Sequence, residues 1–300
     1  MQRILILGGT GFVGSALCEQ LVAAPGFAGT RLLVPSRRRE HGKHLFPLPN
    51  VDVVAANVMD EASLARLLPG VDVVVNLIAI LHGTPEAFTR VHVGLPQRLA
   101  AACVKAGVKR LVHVSALGVP DDPAQAPSQY LRSKAEGERA LCVPGLDVRI
   151  LRPSVIFGAK DRFLNLFAAL QRVFPLMPLA GSEATFQPVW VEDVARALVA
   201  LLREGGVAAP VYEAAGPEVL TLGDLVKRAG QWSGHARPVL PLPMAAGRLQ
   251  ARMMGLLPGE PLMSADNLDS MAVPNVASGR LPGLVELGIT PTALAAVAPG

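Results

Sequence analysis

Gly8-Gly9-Thr10-Gly11-Phe12-Val13-Gly14 follows an apolar run at residues 3–7 and opens a helical pattern at 15–23, so the spacing predicts a strand, a tight turn and a helix. Gly8, Gly11 and Gly14 stand in GxxGxxG register, and each has a physical task. One permits a positive-φ turn, one lets the backbone approach a pyrophosphate, and the last lets helix and strand pack closely. The amides that open the helix are donors for phosphate. In a chain with 29 glycines this spacing arises by chance about 0.3 times. Its weight therefore comes from the strand and helix on either side. The reading makes Gly8, Thr10, Gly11, Phe12, Val13 and Gly14 candidate dinucleotide contacts.

Outward from this turn, strand-like runs recur at 31–34, 51–55, 71–78, 110–114 and 148–151, with helical patterns at 61–68, 95–106 and 130–141. That alternation predicts an α/β fold, a doubly wound parallel Rossmann-type sheet. Past residue 152 the rhythm breaks and Pro and Gly become frequent, so a smaller, partly discontinuous C-terminal lobe is expected over 153–300. The dinucleotide-binding domain is expected over 1–152. Segments near 190–215, a helix near Glu192 and a strand at 211–214, are expected to return to it.

The second strand leads into Pro35-Ser36-Arg37-Arg38-Arg39, where an NAD site ordinarily places a carboxylate for the ribose hydroxyls. A hydroxyl from Ser36 and guanidinium groups from Arg37 and Arg38 suit a 2′-phosphate, so NADP(H) is preferred and NAD(H) stays open. Asn57 and Val58 after the third strand, and Leu77, Ile78 and Ala79 after the fourth, are placed to flank adenine and ribose. Ordinary strand-end packing is the competing explanation for these five.

Tyr130 and Lys134 are four apart in a helical pattern, which puts phenol and ammonium on one face. A nearby cation favours phenolate, so the tyrosine is a candidate to exchange a proton with a carbinol or carbonyl. With these residues, the chain resembles the extended or atypical short-chain dehydrogenase/reductases, and within them relatives of the NADPH-holding accessory subunit of mitochondrial complex I. The resemblance is carried by the glycine turn, Val75-Asn76-Leu77-Ile78-Ala79, His113-Val114-Ser115-Ala116-Leu117-Gly118, the Tyr130/Lys134 pair, Leu151-Arg152-Pro153-Ser154-Val155 and Phe186-Gln187-Pro188-Val189-Trp190. It implies a bound nicotinamide dinucleotide, a proton relay through Tyr130 and Lys134, and nicotinamide contacts at Pro153 and Val155. Active extended members carry a serine or threonine just past the fifth strand. Ser115 is the candidate for that role here, with Leu117 the alternative occupant of the register and Ser128 a weaker substitute.

Composition narrows the remaining functions. The net charge is +4, but the basic residues are dispersed apart from Arg37 to Arg39, and aromatics are 4%, which argues against nucleic-acid binding. Cys18, Cys103 and Cys142 have no CxxC spacing and read as buried thiols in a reducing compartment. The six histidines are scattered, so no metal site is expected. The strand begins at residue 3 with no room for a leader, and the longest apolar stretch, 71–81, is too short to span a bilayer. A cytoplasmic protein is expected, with peripheral contact to a membrane or protein complex as the alternative. The helical pattern at 244–257 places Arg248 and Arg252 on one side and Met253, Met254, Leu256 and Leu257 on an apolar flank ahead of Pro258 and Gly259. It reads as a packed lobe helix, a lid over an apolar substrate such as an isoprenoid or quinone precursor, or a docking patch.

The function expected from the sequence is an oxidoreductase or epimerase/dehydratase. The alternative is a catalytically weak, cofactor-holding subunit of a respiratory or quinone-handling complex.

Overall fold

The first strand, β1 (Arg3–Leu7), buries Ile4 and Ile6 on one face and Leu5 and Leu7 on the other, as a strand must when helices cover both sides of its sheet. The computed structural model describes residues 2–203, 209–254 and 263–297, with the side chains of 252–254 excepted. After β1 come α1 (Phe12–Ala23), β2 (Arg31–Ser36), β3 (Val51–Ala55), α2 (Glu61–Leu67), β4 (Val73–Asn76), α3 (Pro85–Phe88), α4 (Leu95–Ala106), β5 (Arg110–Val114), α5 (Gln129–Leu141) and β6 (Asp147–Pro153). The chain continues through β7 (Ile156–Phe157), α6 (Leu164–Val173), β8 (Met177–Ala180), β9 (Thr185–Phe186), β10 (Val189–Trp190), α7 (Val191–Leu202) and β11 (Val211–Ala214). It ends with β12 (Leu220–Thr221), α8 (Leu222–Trp232), β13 (Val239–Leu242), α9 (Met244–Met254) and α10 (Ala265–Ser270).

Seven parallel strands form one sheet in the order β11-β6-β5-β4-β1-β2-β3. This is the doubly wound Rossmann-type arrangement. The strand order reverses between β1 and β4, so the crevice at their carboxyl ends is the place where such sheets bind ligands. One face is closed by α1 and α7, whose Leu17, Leu21, Val194 and Leu198 share a core with Ile4 and Ile6. The other is closed by α2 and α4, with Leu64, Leu99 and Cys103 around Leu5 and Leu7. Each fully buried leucine contributes roughly 2 kcal/mol relative to exposure, which makes these two layers the main stabilising mass.

The returning strand β11 pairs with β6 and completes the sheet edge. The rest of the C-terminal half forms a second core of Phe157, Phe167, Met177, Leu179, Leu222, Leu225 and Val226, with three two-stranded pairs: β7 with β10, β9 with β12 and β8 with β13. The tail then straps this half to the sheet. Glu213 accepts the Ser278 N–H at 2.7 Å, and Asp193 accepts the Thr292 N–H at 2.7 Å.

Three expectations are corrected. The helix expected over 95–106 has those bounds but no free start, because α3 runs through a π turn over Thr89–Gly94 directly into α4. Pro96 has no N–H to return to the His92 carbonyl, so a wide turn carries the helix past it. Cys142 is exposed at the end of α5, whereas Cys18 and Cys103 are buried. Among the described side chains of α9 only a narrow stripe, Gly247 and Ala251, packs inward, against Ala180 of β8 and Leu268 of α10, while Arg248 and Leu249 are exposed; the side chains of Arg252, Met253 and Met254 lie outside the described residues. Leu256, Leu257, Pro258 and Gly259 lie outside the described residues.

Candidate nucleotide and acid–base site

The glycine turn needs its glycines for different reasons. Gly8 has φ +82° and lies against Leu77, the residue just past the end of β4 across the switch point, with a Cβ placed there 3.3 Å from the Leu77 backbone. A Cβ on Gly14 would collide with the Gly8 carbonyl and the Gly9 backbone. Gly11 caps α1 with no side-chain acceptor, and no acidic residue stands in the first turn. The amides of Phe12, Val13 and Gly14 are thus offered to an external anion, and Thr10 sits at the apex of the turn. Gly42 lets the loop after β2 lie on this turn, its hypothetical Cβ 3.1 Å from the Thr10 methyl. From the same loop, His44 Nε2 reaches Ser15 Oγ at 2.7 Å.

At the end of β2, Ser36 is buried and donates its hydroxyl proton to the Arg38 carbonyl at 2.8 Å. Arg37 and Arg38 are exposed beside it. Arg39 is engaged elsewhere, its guanidinium 5.1 Å over the Phe46 ring and its Nε donating to the Val53 carbonyl. Asn57 is exposed and accepts the Met59 N–H, while Val58 is buried in the core beneath α2 and α4. Leu77 and Ile78 are half-buried and Ala79 exposed along the lip of the crevice.

On the other side of the switch point, α5 carries Tyr130 and Lys134. Lys134 is 2% exposed and its Nζ donates to the Val114 carbonyl at 3.1 Å, 6.0 Å from the centre of the Tyr130 ring. Burial pushes the ammonium down to about 8, opposed by the Glu138 carboxylate one turn on. Burial also pushes the Tyr130 phenol up to about 12. The cation was expected to favour phenolate; here desolvation outweighs it, and Tyr130 is a protonated acid at neutral pH.

Ser115, at the end of β5, is 4% exposed, and its hydroxyl has no hydrogen-bond partner among the described residues. An orphaned buried hydroxyl at the crevice fits a site that takes a polar ligand. Leu117 is buried, and its amide is spent on the Pro153 carbonyl at 2.9 Å. Ser128 is unsuited to chemistry, because it caps α5 by accepting the Leu131 N–H and takes the Ser270 hydroxyl at 2.8 Å. Pro153 ends β6, and Val155 lies just past it, its amide donating to Asn275 Oδ1.

The pattern of the NAD dependent epimerase/dehydratase family matches residues 4–215. The chain belongs to that family. It is 31% identical over 296 residues to NADH dehydrogenase (ubiquinone) 1 alpha subcomplex subunit 9, mitochondrial, of Mus musculus, covering 96% of this chain and 76% of the relative. The Arabidopsis thaliana protein of that name is 29% identical, with 95% and 73% covered. Among solved structures, DesIV, a dTDP-glucose 4,6-dehydratase from Streptomyces venezuelae with NAD and TYD bound, superposes with TM-score 0.69 at 26% identity, covering 81% of this chain and 84% of that one. A UDP-glucuronic acid 4-epimerase from Bacillus cereus in complex with NAD shares the fold, with TM-score 0.67 at 21% identity and 90% and 97% covered. Membership of this family makes the cofactor a nicotinamide dinucleotide.

Three residues at or beside the crevice were not legible in the sequence. Asn275 reaches back from the tail: its Oδ1 takes the Ser154 hydroxyl at 2.7 Å and the Val155 N–H at 3.0 Å. Asp266, from α10, caps the helix of Tyr130 by accepting the Gln129 N–H at 2.7 Å and the Tyr130 N–H at 3.0 Å. His92, buried in the π turn, stands edge-on to the Tyr130 ring with centroids 5.6 Å apart. Asp266 and Asn275 lie more than a hundred residues from their partners, so no spacing rule links them.

Proposed function

We propose that the chain binds NADP(H) in the crevice between β1 and β4 and acts as a short-chain dehydrogenase/reductase-type oxidoreductase or epimerase/dehydratase on a small, apolar carbonyl or hydroxyl compound. The observation that carries this reading is the Tyr130/Lys134 pair, anchored through Lys134 on the Val114 carbonyl, with the orphaned Ser115 hydroxyl on the next residue. A bound nicotinamide supplies or accepts the hydride. Gly8, Thr10, Gly11, Phe12, Val13 and Gly14 hold the pyrophosphate, Asn57, Val58, Leu77, Ile78 and Ala79 flank the adenosine, and Pro153 and Val155 line the nicotinamide end. Ser36, Arg37 and Arg38 favour a 2′-phosphate, since two exposed guanidinium groups stand where an NAD site carries a carboxylate.

Tyr130, kept protonated by burial, gives its proton to the substrate oxygen as negative charge develops there, and takes one back in the reverse direction. Lys134, anchored on the Val114 carbonyl, holds a positive charge near the phenol and stabilises the phenolate left behind. Ser115 orients the oxygen that receives the proton. Replacing Tyr130 by Phe is expected to lower turnover by about 10²–10⁴-fold while dinucleotide affinity stays nearly constant; unchanged turnover overturns the assignment. The nucleotide released when purified protein is denatured is expected to be NADP(H), and NAD(H) in that extract overturns the reading of Ser36, Arg37 and Arg38.

A second reading is favoured by one observation. Leu117, the alternative occupant of the register where active members carry a hydroxyl, is buried and apolar. The chain would then hold its nucleotide for stability and act as a subunit, as the names of the NADH dehydrogenase relatives describe for those proteins. Its place would be the periphery of a membrane-bound respiratory or quinone-handling complex. Exposed Phe174, Leu176, Leu240, Met244 and Leu249 supply apolar surface for that contact. No helix among the described residues is long and apolar enough to cross a membrane. Co-purification with such a complex, and no cofactor oxidation across a panel of carbonyl compounds, would favour this reading over the first.

A further inference from the structure

A polar chain, buried at His92 and Ser133, links the lip of the crevice to the helix of Tyr130. The Ile80 N–H donates to His92 Nε2 at 3.1 Å, His92 Nδ1 lies 2.8 Å from Ser133 Oγ, and the Ser133 hydroxyl donates to the Tyr130 carbonyl at 2.9 Å. The direction of every bond is forced. An amide only donates, so Nε2 is an acceptor, and the neutral imidazole must carry its proton on Nδ1 and donate it to Ser133. The ring is neutral because burial, with Lys134 close by, pushes it down to about 3.

The packing is equally restrictive. The His92 ring is held between Phe88, centroids 5.6 Å apart, and Tyr130, which it meets at 79°. The π turn leaves the His92 carbonyl on the surface facing α5, and Gly137 makes room for it there, since a Cβ at that position would collide with this oxygen. Displacing Ile80 without moving the imidazole would leave a nitrogen buried and unpaired, which is costly. Lip, imidazole and helix therefore shift together.

We propose that His92 is a positioning residue that couples occupancy of the adenosine end of the crevice, at Leu77, Ile78 and Ala79, to the placement of the Tyr130 phenol. The coupling rests on those three residues being cofactor contacts. It gives the protein a way to set its acid only when nucleotide is seated.

The sequence has two tyrosines, Tyr130 and Tyr212, so full-length protein labelled with 3-fluorotyrosine shows two fluorine resonances, and Tyr212→Phe assigns them. The probes are adenosine 2′,5′-bisphosphate and, for the unphosphorylated ribose, ADP; neither carries a nicotinamide to touch Tyr130 directly. On saturation, the Tyr130 resonance is expected to shift in the parent. In His92→Phe and in Ser133→Ala the shift should fall to about half or less while fragment affinity changes less than about threefold. A fragment that binds without moving the Tyr130 resonance, or one that moves it equally in both variants, overturns the coupling and leaves the binding reading intact. Failure of both fragments and of NADP⁺ and NAD⁺ to bind the parent overturns the binding reading, and the coupling with it. Should His92→Phe not fold, Ser133→Ala cuts the same chain one bond further on and decides alone.

Discussion

At the adenosine end of the crevice the turn proposed to cradle phosphate is one uninterrupted stretch, residues 8–14. The acid–base end is assembled from β5, the π turn, α5, the end of β6, the tail at Asn275 and Asp266 of α10. In the turn, the critical distances are between residues a few positions apart, so the local backbone enforces them. At the acid–base end nearly every bond spans tens of residues, so the geometry exists only while both halves of the molecule are packed. The first end should fail by local strain and the second by loss of registration between elements.

Four measurements can break or sharpen that contrast, taken from the largest expected effect downward. Gly14→Ala forces a Cβ onto the Gly8 and Gly9 backbone, and is expected to cost about 3 kcal/mol in denaturant unfolding and to abolish dinucleotide binding. Gly137→Ala pushes α5 away from the His92 carbonyl and is expected to cost about 2 kcal/mol. Unlike Gly14→Ala, it should leave binding of the adenosine fragments near the parent value, because the turn itself is untouched.

Acid should act selectively on the second end. His92 titrates near 3 in the folded chain and at its ordinary 6.5 when unfolded, so between those values the unfolded chain binds the extra proton. Stability supplied by neutral His92 is therefore complete above about pH 6.5 and falls by about 1.4 kcal/mol for each unit of acidification towards pH 3. Unfolding measured from pH 7 to 5.5 should show this component, about 1.3 kcal/mol, in the parent and lose it in His92→Phe; parallel curves for the two proteins would count against the assignment. The smallest effect belongs to Arg248→Ala, which removes the exposed pair with Asp269 between α9 and α10. It should change stability by about 0.5 kcal/mol or less, detectable by melting temperature alone.

Much of the fold was legible because its signals are local. Strand 51–55 and helix 95–106 match the structure at both ends, and the returning segment 211–214 joins the sheet as a strand. The candidate site was legible where a motif lies within one element: Gly8 to Gly14 in a turn, and Tyr130 with Lys134 on one helix. The strand expected over 71–78 is shorter, 73–76, because beyond Asn76 the chain leaves the sheet and Ile78 bonds back to the Asn76 side chain. Ser128 read as a spare hydroxyl, yet a helix N-terminus needs an acceptor, and that need claimed it.

By itself, the sequence determined the sheet, the glycine turn and the facing of Tyr130 towards Lys134, because periodicity and glycine spacing act through the backbone over a few residues. Only the tertiary structure decided what surrounds that pair. It brought neutral His92, the Asp266 cap and Asn275 to the crevice, and it raised rather than lowered the phenol's proton affinity. The reason is desolvation: a spacing of four fixes that two groups are neighbours, but how much water is left around them depends on every other segment that packs there.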